Sequence, residues 1–149
     1  MHTLLSILHV LAVVITVGPA MLVPWLGERA LRDRDGDRVH QAGRRCMAFN
    51  ALTAVAALFG ALTTVTSDRY SFADPWLIIA ATLYVIAVAN GAGVLPSLFA
   101  RIGKDLQDAH GVMDGEALEQ HRGRLLALAT ANVVLYVLVV ILMAWRPGA

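Results

Sequence analysis

Charged and apolar positions alternate along this chain in long blocks. Residues 1–27, 46–67, 75–100 and 125–145 contain no Asp, Glu, Lys or Arg. These runs are 27, 22, 26 and 21 residues long, and all 23 charged residues fall in the remaining 53 positions. About 20 apolar residues in a helix cross the hydrocarbon core of a bilayer, whereas a soluble bundle carries charge on its wet face at every turn. Only a helix or a closed barrel satisfies its own backbone in lipid, and the runs lack the alternation of barrel strands. The pattern predicts an all-α fold, a polytopic membrane four-helix bundle. Its helices are expected at about 3–26, 46–67, 75–100 and 124–145, in a single transmembrane domain over 1–149.

The first loop, Glu28 to Arg45, holds six arginines, and the third, Arg101 to Arg124, holds Arg101, Lys104, Arg122 and Arg124. Together they carry ten of the twelve Lys and Arg residues. The positive-inside rule puts both loops in the cytoplasm and both termini outside, the arrangement expected of a multi-pass protein of the bacterial inner membrane. Trp25, Trp76, Trp145 and Tyr70 are placed as an interfacial belt. Glu28–Arg32 can extend the first helix, Asp35-Gly36-Asp37 reads as a turn, and Asp114–Glu119 reads as a turn followed by a helix that leads into the fourth span. The first run has no positive n-region and is longer than a signal h-region, so it is read as a retained helix. Pro24 and Pro96 each remove an amide donor, and a bend or early unwinding is expected at both.

The two halves share features. Gly18 and Pro24 correspond to Gly91 and Pro96, and His40–Arg44 resembles His121–Arg124. This suggests a parallel duplication of a two-helix unit.

At 100° per residue, Asn50, Thr53, Ala57, Gly60 and Thr64 share one narrow face of helix two, and Ser6, His9, Val13, Thr16 and Ala20 share one face of helix one. Tyr84 with Asn90, and Asn132 with Tyr136, supply polar groups on helices three and four. Because an amide facing lipid is costly, these residues are expected to form the polar interior. The spans contain no acid or base of the kind that proton-coupled transporters place in the membrane. The chain also shows no paired carboxylates, nucleophile with base, or phosphate-binding loop. A single cysteine, Cys46, excludes an internal disulfide and a multi-cysteine metal site. A net charge of +1 points to no nucleic-acid partner.

His9 is the one histidine well inside a run. It is either a metal or haem ligand or a buried neutral ring bonded to Ser6, Thr64 or a carbonyl. No second histidine shares its depth. Met143 is the candidate partner for His/Met ligation of haem b, with His2 another candidate.

Leu8-His9-Val10-Leu11 followed by Val17-Gly18 resembles the first helix of a family of small bacterial four-helix membrane proteins. These are classed as predicted integral membrane proteins of unknown function, distantly similar to copper-resistance protein D and to the membrane protoporphyrinogen oxidase. The resemblance implies that His9 matches a histidine associated with haem or with copper handling. The chain departs from both branches. Ile15, Thr16 and Val17 stand where an aromatic residue commonly precedes the glycine, and helix three carries no cation.

Three functions follow as expectations. The first is a non-enzymatic accessory or scaffold bundle that binds a hydrophobic cofactor or lipid. The second is a haem-dependent membrane oxidoreductase using His9, and the third a transporter of a small neutral solute. The expected partners are the lipid bilayer and either another membrane protein or a second copy of the chain.

Overall fold

The computed structural model describes residues 2–66, 71–110 and 112–145; Arg69, Tyr70, Arg146 and the His2 side chain lie outside the described residues. Apart from short turns, the described chain is helical, and none of the described residues is in a strand. In order it forms α1 (His2–Arg32), α2 (Gly36–Val65), α3 (Pro75–Val88), a π-helical segment (Ala89–Val94), α4 (Leu95–Asp108) and α5 (Gly115–Trp145). With α3, the π segment and α4 forming one continuous rod, four helices are long and apolar enough to cross a membrane. Leu4, Val14, Ile15, Leu22 and Val65 are all more than 60% exposed, as lipid-facing side chains are.

At 31 residues, α1 is about 46 Å long, some 16 Å more than the hydrocarbon core. The surplus projects from the bilayer at the basic end. Most of the first and third loops is therefore helix. The expected second helix from 46 starts at Gly36, the expected third ending at 100 runs to Asp108, and the last begins at Gly115. The turn expected at Asp35-Gly36-Asp37 falls earlier, at Asp33-Arg34. The Arg34 and Asp35 amides return to the carbonyls of Leu31 and Ala30, with Arg34 left-handed at φ 54°. This is the 5→2 and 6→1 pair of a Schellman ending. Asp35 then caps α2 by accepting from the Arg38 amide at 3.0 Å. Gly36 is free to enter the helix, and must be small: a Cβ there would lie 2.9 Å from the Gly103 carbonyl oxygen.

The helices pack α1 on α2, α2 on α4, α3 on α5 and α1 on α5; α2 and α3 barely touch. The basic half is close-packed around Phe99. A Cβ on Gly27 would come within 2.3 Å of the Phe99 ring, and one on Gly43 within 2.8 Å of its Cβ. Val23, Leu31, Val39, Leu95, Ile102, Leu106 and Leu125 complete this core. Beyond the uncharged run, the buried Glu28 carboxylate ties α1 to α5. It accepts from Arg122 Nε at 2.7 Å and from Arg32 Nε, and Arg122 also reaches Glu119 at 3.1 Å.

The two prolines act differently. α1 passes through Pro19 and Pro24 as one unbroken helix, so the unwinding expected there is absent. Before Pro96 the helix widens into the π segment, where the Leu95 amide bonds the Asn90 carbonyl five residues back. Pro96 has no amide to give the Gly91 carbonyl in that register, and Cys46 Sγ donates to it instead, at 3.3 Å. The proposed counterparts Gly18 and Gly91 also differ. Gly91 is pressed against Asn50, whereas a Cβ on Gly18 would meet nothing within 4 Å. Trp25 and Trp145 are exposed, but Trp76 is buried rather than part of a belt.

Candidate functional site

A polar layer crosses the middle of the bundle. Asn50 sits at its centre, fully buried. Its Nδ2 donates to the Cys46 carbonyl at 2.8 Å, one turn back on α2. Its Oδ1 accepts from the Tyr136 hydroxyl of α5, also at 2.8 Å. Thr53 donates to the Asn50 carbonyl at 2.6 Å and shares a 3.0 Å bond with the Tyr84 hydroxyl of α3. The layer closes only because position 91 is glycine: a Cβ there would stand 2.0 Å from Asn50 Oδ1. To one side, Asn90 Nδ2 donates to the Leu128 carbonyl at 3.0 Å and approaches Asn132 Oδ1 at 3.4 Å. Asn132 Nδ2 is buried without a hydrogen-bond partner among the described residues.

Above this layer, away from the basic end, the bundle is open. Where α2 and α3 separate, a partly enclosed cavity of about 180 Å³ lies between α1, α2, α3 and α5. Its floor is Thr53, Tyr84 and Tyr136, and its walls are mostly small or aliphatic: Val13, Ala56, Ala57, Ala80, Val139 and others. Val13, Gly60, Thr64, Leu77, Val140 and Met143 are shared with a second chamber of about 420 Å³ that includes Trp76. His9 lines both chambers.

His9 is fixed by α2. Its Nδ1 lies 2.8 Å from the Ala56 carbonyl oxygen, and its ring rests on Gly60, where a Cβ would come within 2.9 Å of Cε1. A carbonyl only accepts, so Nδ1 carries the proton and, in the neutral ring, Nε2 keeps the lone pair. A carbonyl is among the partners expected from the sequence, and Ala56 supplies it.

The residues expected to form a polar interior thus separate into groups. His9, Thr53, Thr64, Tyr84, Tyr136 and Met143 line the main cavity, while Asn50, Asn90 and Asn132 lie in the layer. Ser6 and Thr16 line neither chamber, and Thr16 bonds its own helix at the Ala12 carbonyl, 2.7 Å away. Thr64 likewise bonds Gly60 of its own helix, at 3.1 Å. Sequence reasoning missed the coupling of Cys46 and Gly91. The signal was Pro96, whose missing amide leaves a carbonyl for another donor.

An imidazole whose Nδ1 is held by a carbonyl presents Nε2 as a suitable metal ligand. The surroundings do not extend that chemistry to a haem. Among the described residues no Arg or Lys lines either chamber to meet propionates, and the main cavity, at about 180 Å³, is on the scale of one that holds a benzene-sized group. Nor do three or more His, Cys, Asp or Glu residues converge to hold a copper ion among the described residues.

A family model described as "Predicted integral membrane protein (DUF2269)" matches residues 3–147. No curated protein and no solved structure matches the chain.

Proposed function

The chain belongs to this family of integral membrane proteins, and from that premise we propose that it is a binding bundle for an uncharged hydrophobic ligand. The observation that carries this reading is the apolar cavity above the Asn50 layer. Among the described residues no Asp, Glu, Lys or Arg lines it, so a charged occupant would lose its hydration without recompense. Hydrocarbon entering between α2 and α3 meets Ala57, Val139 and Met143. A single hydroxyl on the ligand donates to the Thr53–Tyr84 pair or to His9 Nε2. The occupant is a chain end or one ring of a larger molecule, the remainder lying in the adjoining chamber and the bilayer. The basic end faces the cytoplasm of a bacterial cell in this reading, which puts the cavity in the outer leaflet.

The test is photolabelling in native membranes with an uncharged lipid carrying a diazirine near its chain end. Labelling concentrates on Ala57, Tyr84 and Met143, and Ala57→Phe abolishes it there. Uniform labelling along the lipid-facing residues, unchanged by Ala57→Phe, would overturn the reading. A purified protein with a Soret band that disappears in His9→Ala would replace it with the haem reading.

A further inference from the structure

The basic end has an opening of its own. α4 lies along α2 and touches α5 only lightly, leaving a groove of about 680 Å³ between α4 and α5. Its floor is apolar, formed by Gly93, Val94, Leu98 and Leu128, and Arg101 and Arg124 stand on its rim. Arg101 is the first charged residue after the third uncharged run and Arg124 the last before the fourth. Both therefore stand where hydrocarbon gives way to headgroups.

These two arginines are uncommitted. Neither makes a side-chain hydrogen bond or ion pair among the described residues, whereas Arg122 is held by Glu28 and Glu119 and Arg38 by Asp35. The acid on this rim, Asp105, is turned to His121 at 4.0 Å, and two guanidinium groups against one carboxylate leave the rim positive. The floor is open as well, since a Cβ on Gly93 would meet nothing within 4 Å.

We propose that the α4–α5 groove binds one anionic phospholipid from the leaflet on the basic side. Arg101 and Arg124 take the phosphate by charge-assisted hydrogen bonds, and an acyl chain lies over Gly93, Val94 and Leu128. The site is separate from the cavity beside His9 and does not depend on what that cavity holds.

Native mass spectrometry of the delipidated protein in micelles tests this, with phosphatidylglycerol, phosphatidylcholine or inorganic phosphate added. The expected preference for phosphatidylglycerol over phosphatidylcholine is about thirtyfold, the order set by two cations near an anionic surface. Arg101→Gln with Arg124→Gln brings the ratio close to one, while Arg29→Gln with Arg44→Gln, on the other basic hairpin, leaves it unchanged. Gly93→Leu keeps both arginines and lowers phosphatidylglycerol binding by occupying the floor. Equal losses in the two arginine pairs would mean diffuse attraction by the basic end and overturn the proposal. Full binding by Gly93→Leu, or displacement of the lipid by millimolar inorganic phosphate, would overturn it too.

Discussion

The two halves of this bundle are built from the same four rods, yet the core of one is closed, with a surface groove between α4 and α5, and the other is open between α2 and α3. In the basic half, Gly27 and Gly43 press on Phe99, Gly36 and Gly103 bring the backbones of α2 and α4 together, and Glu28 pins α1 to α5. In the other half α2 and α3 separate, and alanines line a cavity. In lipid there is no hydrophobic force to pull helices together, so close association depends on packing and hydrogen bonds. The difference teaches that small residues close a membrane bundle where backbones meet directly, as at Gly36 and Gly103, or where a large side chain fills the space between them. Phe99 does so at one end; among Ala56, Ala57, Ala80 and Ala81 nothing comparable does.

The largest effect expected from breaking this contrast is at Phe99. Phe99→Ala should cost about 3 kcal/mol of stability, the usual scale for emptying a well-packed aromatic site, read by thermal unfolding in micelles. Gly91→Ala comes next. Its methyl would displace Asn50 from the layer that separates the halves, at a cost of about 1–3 kcal/mol, with loss of the Tyr136 bond visible in the infrared band of the tyrosine hydroxyl. Tyr136→Phe removes one interhelical bond and should cost about 0.6 kcal/mol in the same unfolding assay. Thr64→Ala, which deletes a bond internal to α2, should leave stability unchanged within error.

Acid gives a further test confined to the closed half. Burial pushes the Glu28 carboxyl up, but the bonds and charges of Arg122 and Arg32 outweigh it and hold the group below its ordinary value of 4.5. A lowered folded value means the carboxylate stabilises the protein above pH 4.5 and that this contribution is lost as pH falls through the folded value. Unfolding temperature should drop on acidification in the wild type, and less in Glu28→Gln, which starts lower at neutral pH.

The spans and their number were legible because charge is excluded from lipid so strictly that its absence marks the helices. The polar faces were legible for a related reason: Asn50, Thr53 and Tyr136 have nowhere else to go. The extension of α1 to Arg32 and the helix after the Asp114 turn were legible as well, but the start of α2 was not, because projecting helix and solvated loop carry the same charged composition; residues 36–45 are the example. That His9 would bond a carbonyl was among the alternatives, but which carbonyl was hidden, since that of Ala56 has no side-chain signature. Pro24 and Pro96 look alike in sequence, and only the register of bonds around them tells them apart.

The π segment also has a bearing on how this chain tolerates insertions and deletions. A π turn holds about one residue more than an α turn accommodates, so α4 is phased against α3 by the width of a single residue. Deleting Ala92 would give a better helix and a worse protein. The straightened rod would turn α4 by about 100°, carry Phe99 off the glycines of α1 and α2, and point Arg101 away from α5. The spare residue acts as a phase shifter, and the alignment of the two halves is encoded in it.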